Sequence, residues 1–491
     1  MSQLAEITNL AGRGDAGAHS TQQSLRDLAI AAGVGTSILF LIVGISTELQ
    51  MFGDGSIFSY AIAAREAWAF HWHNIPGRLF SYLFVHVPAQ AYVGLTQDPK
   101  SGIFLYGLLR FSAPLLGLLA TWSADRTAGR VIFSYACVST ACLCPLVFGV
   151  PTEMWMAHTI FWPTLAICLC APGNLRGAAA MFITFLALVF THEGAVVLSI
   201  AILFALFVGV RRDRRFGLAL AAWFAAMAVW LVIKIVIRPD DYIAGVLTSH
   251  AYKFIDVRNF AQPAFLLLLA TLAGYGMAAA ALRRLSPAHA HIYAAVGCAA
   301  ALAMYWFWFD TSLLAEARYN LRTALLVGTP AFGLLAAFHA TPEPGKKFPL
   351  VASITDAMEN RLSPPLISGA ILLVMLVHAV ETSKFVWGWT QYKAALQNLA
   401  TASSADPGLN EPLFVSSRHI GVQLNRLAWN STTPYLSVLV APGLLPTRLV
   451  VDADATYFWL SCDTATASEK TSAAIPIESR RLVRRHACLH R

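Results

Sequence analysis

Apolar stretches of about twenty residues recur from one end of this chain to the other, and nearly every break between them carries an acid, a histidine or an arginine. That length is what an α-helix needs to cross the roughly 30 Å hydrocarbon core of a bilayer. Hydrophobic residues make up 57% of the sequence and charged residues 13%, whereas a soluble domain carries about a quarter charged residues. Membrane β-barrel strands would alternate over about ten residues, and these runs are longer and do not alternate. The sequence therefore predicts an all-α polytopic membrane protein.

Eleven spans are expected, near 28–47, 102–122, 131–149, 154–171, 177–191, 195–210, 216–237, 262–282, 291–309, 323–339 and 365–386. The fifth and sixth adjoin at Thr191-His192-Glu193-Gly194, as a hairpin or as one broken helix. Lys and Arg favour cytoplasmic loops. With the N-terminus inside, the inner loops hold Arg126 and Arg130, Arg176, the Arg211–Arg215 group, Arg283 and Arg284, and Lys346, Lys347 and Arg361. The opposite loops are acidic. Residues 1–27 read as a frayed cytoplasmic tail, 28–389 as the transmembrane body and 390–491 as a small external domain of α/β or β type. Within that last segment PYLSVLVAP, TRLVVD and TYFWLSCD look like short strands. The first span starts too late and runs too long for a signal peptide.

The net charge of +8 sits mostly in short inner loops, so it implies no nucleic-acid partner. Six cysteines lie in apolar runs and act as small hydrophobes. Cys462 and Cys488 fall in the external segment, where a disulfide is compatible with the compartment. No Cys/His spacing resembles a zinc site.

The ionisable residues of the outer loops are the candidates for chemistry. The first loop, about 48–101, is expected to form two aromatic-rich helices lying along the membrane surface. Asp54, between two glycines, reads either as a carboxylate at a cavity mouth or as a helix cap. His71, His73 and Arg78 in the same loop are candidate substrate contacts. Glu153 starts a helix, where its charge suits the dipole, and His158 behind it reads as structural. His192 and Glu193 are adjacent at membrane depth, where ionisable groups usually face a cavity or a partner. Asp240 and Asp241 are weak candidates for a divalent cation and equally a solvated turn. Arg318 and Tyr319 follow Asp310 and Glu316, and arginine suits bidentate binding of phosphate.

The layout, with Asp54 in FGDGSIF, His192-Glu193 in FTHEGA and Arg318-Tyr319 in EARYNLR, resembles the GT-C class of membrane glycosyltransferases. The resemblance is architectural and covers residues 28–386. It departs from many relatives in having Asp54-Gly55 where they carry two acids together. It implies transfer of a sugar from a polyprenyl-phosphate donor to a hydroxyl of a glycan, lipid or protein acceptor on the outer face. Asp54 would be the base, with His192 and Glu193 also catalytic. Arg318, Tyr319, Glu153, His71, His73 and Arg78 would bind substrate. No cofactor is required, and a divalent cation is compatible with the site. A bacterial plasma membrane is the expected location. The rival readings are a transporter or flippase, a polymerase or ligase of lipid-linked glycans, and a lipid acyltransferase. Lys234 and Arg110, mid-span exceptions to the clustering of ionisable groups at one face, are expected to snorkel.

Overall fold

The computed structural model describes residues 2–67, 75–144, 153–210, 213–237, 263–310, 321–341, 363–402, 414–428, 432–451 and 475–489. They are mostly helical. The helices are α1 (Ser2–Ser46), α2 (Asp54–Ala63), α3 (Ile75–Ser81), α4 (Val87–Thr96), α5 (Pro99–Phe111) and α6 (Ala113–Ala124). Next come α7 (Val131–Leu143), α8 (Glu153–Cys170), α9 (Leu175–Val189), α10 (Ala195–Val210), α11 (Arg214–Val236) and α12 (Pro263–Leu282). The last are α13 (Ala290–Met304), α14 (Leu321–Ala340), α15 (Pro364–Thr401), α16 (Thr433–Val440) and α17 (Ile477–Leu489). Two strands, β1 (Phe414–Ser416) and β2 (Leu449–Val451), pair in parallel with Phe414 opposite Leu449.

Every run expected as a span contains a helix. Among the described residues five helices are long and apolar enough to cross a membrane, or six if the bent pair α5 and α6 counts as one. The protein is thus a helical, multi-pass membrane protein. The 41° bend between α5 and α6 has a local cause: Pro114 has no N–H to give to the carbonyl of Arg110. Helices α9 and α10 are separate and pack against each other, which makes the fifth and sixth runs a hairpin.

Helix α8 lies at the centre. It packs against α6, α7, α9, α10 and α14, and nearly all of its side chains are buried. A helix that is apolar all round belongs inside a bundle. By contrast α11, α12 and α13 expose Leu231, Val232, Ile235, Leu269, Met277 and Val296, as suits helices facing lipid tails.

Four expectations are corrected. Residues 2–27 continue α1 as helix and are not frayed. Helix α2 does not lie along the surface: residues 55–63 are all buried, because the chain after α15 folds back and lays α16 over it. The π-helical turn Tyr82–His86 and α4 keep an exposed apolar side, through Leu83, Phe84 and Leu95. The run PYLSVLVAP forms helix α16, not a strand. Its Pro434 sits in the first turn, where a missing N–H costs nothing, and its packing against α2 decides the rest. Leu449–Val451 is a strand as expected, while residues 456–463, with Cys462 among them, lie outside the described residues. Helix α15 runs on past residue 389 to Thr401.

Candidate functional site

Four segments far apart in sequence bring charged side chains to one place. Helix α3 carries Arg78, whose own backbone leaves helical geometry (φ −130°, ψ 28°). The start of α8 carries Glu153 and the turn before α10 carries Glu193. Helix α5 carries Arg110. The connections are local and physical. The N–H of Phe80 donates to the carbonyl of Phe190 over 3.1 Å, which ties the segment after Arg78 to the end of α9. The turn that follows must approach α8 closely. A Cβ on Gly194 would sit 3.0 Å from Met154 Sδ and 3.3 Å from His192 Nδ1. A side chain there would make Met154 and His192 shift by a few tenths of an ångström. His192 Nδ1 accepts from the Gly194 N–H at 2.9 Å, which fixes the ring against its own turn.

The ion pairs form a chain. Arg78 Nη1 lies 3.2 Å from Glu153 Oε2, and its Nε lies 3.7 Å from Glu193 Oε2. Arg110 Nη2 lies 3.8 Å from the other oxygen of Glu153. Lys234 Nζ lies 3.2 Å from Glu193 Oε1. Arg110 also donates to the Tyr106 hydroxyl one turn before it, and its guanidinium stands 6.0 Å from the Phe58 ring centre. Asp54, the first residue of α2 after the N-cap Gly53, lies within electrostatic reach of Arg110 and Tyr106. His192 lies within reach of both Glu153 and Glu193. Three cations therefore face three carboxylates.

Burial sets the chemistry. Glu153 and Arg110 side chains are each 6% exposed. Desolvation alone would lift the pKa of Glu193. The nearby Arg78, His192 and Lys234 overcome it and hold the carboxyl down at about 2. His86, on the π-helical turn, is pushed down to about 4 by burial and by Arg110. It packs on Tyr82, Tyr106 and Phe58 and is neutral at physiological pH. A π-helical turn often marks a functional site.

The structure thus brings together Asp54, Arg78, Glu153, His192 and Glu193 from the expected set. His71, His73, Asp240, Asp241, Arg318 and Tyr319 lie outside the described residues. His158 is buried against Thr329, with Nδ1 2.8 Å from the hydroxyl. Sequence reasoning missed Arg110 and Lys234 as members of the site, along with Tyr106 and His86. Both bases have the length to snorkel, and both turn inward to carboxylates instead. A signal was present: an ionisable residue inside an apolar run faces a partner by default. Among the described residues no three His, Cys, Asp or Glu side chains converge as a metal site.

A second, smaller charged cluster joins α13 to α15. Lys384 Nζ lies 2.6 Å from Asp310 Oδ2 and 3.8 Å from Glu381 Oε1, and Trp306 Nε1 donates to Glu381 over 2.9 Å.

No protein-family model matches this chain, and no curated protein or solved structure matches it.

Proposed function

We propose that this protein is a GT-C type glycosyltransferase of a bacterial plasma membrane. It would transfer a sugar from a polyprenyl-phosphate donor to a hydroxyl on the outer face. In this reading eleven spans cross the bilayer, the N-terminus is cytoplasmic, and the segment after α15 is external. The observation that supports it is the convergence of Asp54, Arg78, Glu153 and Glu193 from separate loops and helix ends. A transferase acting on a lipid-borne donor needs a buried carboxylate and cations side by side at a membrane boundary.

The reaction assigned to the site is a displacement at the anomeric carbon. Asp54 takes the proton of the acceptor hydroxyl, the oxygen forms the new glycosidic bond, and the sugar–phosphate bond breaks with its electron pair leaving on the phosphate. Glu153 and Glu193 hold Arg78, and His192 stands beside them. Each cation of the described cluster already faces a carboxylate. The added positive charge that a leaving phosphate needs is therefore assigned to Arg318 or to a divalent cation.

The test is reconstitution of the purified protein with a panel of polyprenyl-phosphate sugars and hydroxyl acceptors. Transfer that Asp54→Asn abolishes, with membrane insertion intact, supports the reading. Full transfer by that variant removes Asp54 as the base. Movement of the intact lipid or a small solute across vesicles, with no transfer, replaces the enzyme by a transporter.

A further inference from the structure

We infer that the centre of the bundle holds a small site for hydrogen-bonded water along one face of α8. The inference does not depend on the proposed transferase activity. Trp155, His158 and Trp162 stand at i, i+3 and i+7, so they share one face of the helix. They are 2%, 0% and 1% exposed. Trp155 Nε1, His158 Nε2 and Trp162 Nε1 have no hydrogen-bond partner among the described residues. The His158 and Trp162 rings meet edge-on, with centroids 6.4 Å apart. The other His158 nitrogen is engaged by Thr329, which leaves Nε2 to face the stripe. A fourth buried atom without a partner, Ser139 Oγ, belongs to α7, which packs on α8 and α14.

Buried polar groups are normally satisfied, and leaving a donor unpaired costs its full desolvation penalty. Four such atoms on two helices in contact call for a ligand. An indole N–H can only donate, whereas a histidine nitrogen gives or accepts according to tautomer. The ligand must therefore accept hydrogen bonds and be able to donate as well. Near-zero exposure requires it to be small. Helix α8 carries no Lys or Arg, so nothing on the stripe balances an anion. Water meets all of these conditions, and internal waters with two to four polar partners are a regular part of protein interiors. The stripe starts two residues from Glu153 and extends seven residues, about 10 Å along the helix. It carries polarity from the charged cluster into the apolar core.

The test is a ultraviolet resonance Raman difference spectrum between the wild type and Trp162→Phe, read at the band that reports indole N–H hydrogen bonding. The band lost with Trp162 is expected at the hydrogen-bonded position. A free-indole position overturns the proposal. If Trp162→Phe does not fold, a high-resolution density map of the wild type in nanodiscs decides it. Ordered density within hydrogen-bond distance of Trp162 Nε1 and His158 Nε2 is expected. An empty stripe, in a map that resolves other internal waters, overturns it.

Discussion

The two charged clusters of this molecule differ in how they are assembled. The smaller, of Asp310, Glu381 and Lys384, joins two neighbouring helices, and two of its members are one turn apart on α15. The larger draws Asp54, Arg78, Arg110, Glu153, Glu193 and Lys234 from six elements or turns. A local cluster follows from helix geometry, since i and i+3 positions meet anyway. A cluster gathered across a chain must be held by the fold. Its groups are costly to bury singly and are tolerated only together. The larger cluster therefore reads as a site, and the smaller one as a tether between helices.

The sharpest way to break this distinction is to neutralise one carboxylate in each cluster. Glu153→Gln leaves Arg78 and Arg110 buried near each other with no anion between them. It should cost about 3–5 kcal/mol, the range for removing one partner of a buried pair. Glu381→Gln keeps an oxygen to accept from Trp306 and loses only the charge pairing with Lys384 at 3.8 Å, so it should cost about 1 kcal/mol or less. Denaturation of both variants in the same detergent compares them, and equal losses would erase the difference between site and tether. A finer version is a pair of double-mutant cycles. Lys234 with Glu193 should couple by about 1–3 kcal/mol, as contacting buried groups do. Lys384 with Asp310 should couple by less than about 1 kcal/mol, because the Asp310 side chain is 28% exposed.

The two clusters were also unequally legible. The spans could be read because twenty apolar residues leave a helix few alternatives in lipid. Asp54, Glu153, His192 and Glu193 could be marked because they interrupt such runs. What the sequence did not carry was direction. Arg110 sits in an apolar helix and has the length to snorkel, and only the positions of α3 and α8 show that it turns to Glu153. The same limit explains α16. A short apolar run bounded by turn residues fits a strand equally well, and its contact with α2, some 370 residues earlier, decides for helix. Ser56 shows that contact directly, donating to the Thr432 carbonyl over 3.1 Å.

Acid and neutral pH should separate two regions by the sign of their response. Glu193 is held at about 2 in the folded protein. Its stabilisation is complete above the ordinary carboxylate value and is lost as pH falls towards 2. Glu66, just after α2, behaves oppositely. Burial raises it to about 7 against the lowering pull of Arg480 on α17. The folded state then binds more protons than the unfolded state between about 4.5 and 7, so stability falls as pH rises through that window. Allowing for solvent screening, the slope should amount to roughly 1 kcal/mol. Neutral His86, held at about 4, works the other way in the same window and equally in both proteins, so the melting temperature of the wild type relative to Glu66→Gln, rather than either curve alone, should decline across that range. A constant difference between the two would place the titrating group elsewhere.

The smallest effect is expected where a charge pair faces solvent. Lys393 on α15 pairs with Glu48 at the end of α1, and the Glu48 side chain is 52% exposed. Exposed pairs contribute about 0–1 kcal/mol and weaken with salt, so Glu48→Ala should shift stability by no more than about 0.5 kcal/mol. Lys393 has a second role, because its ammonium also donates to the Thr47 carbonyl over 3.1 Å, an oxygen shared with Trp389 Nε1 at 2.8 Å. Lys393→Met should therefore cost more than Glu48→Ala, and the excess should survive high salt. The two losses measured at low and high salt separate the screened ion pair from the hydrogen bond that closes the end of α1. Equal losses for both variants, vanishing together in salt, would leave the ion pair as the whole of the contact.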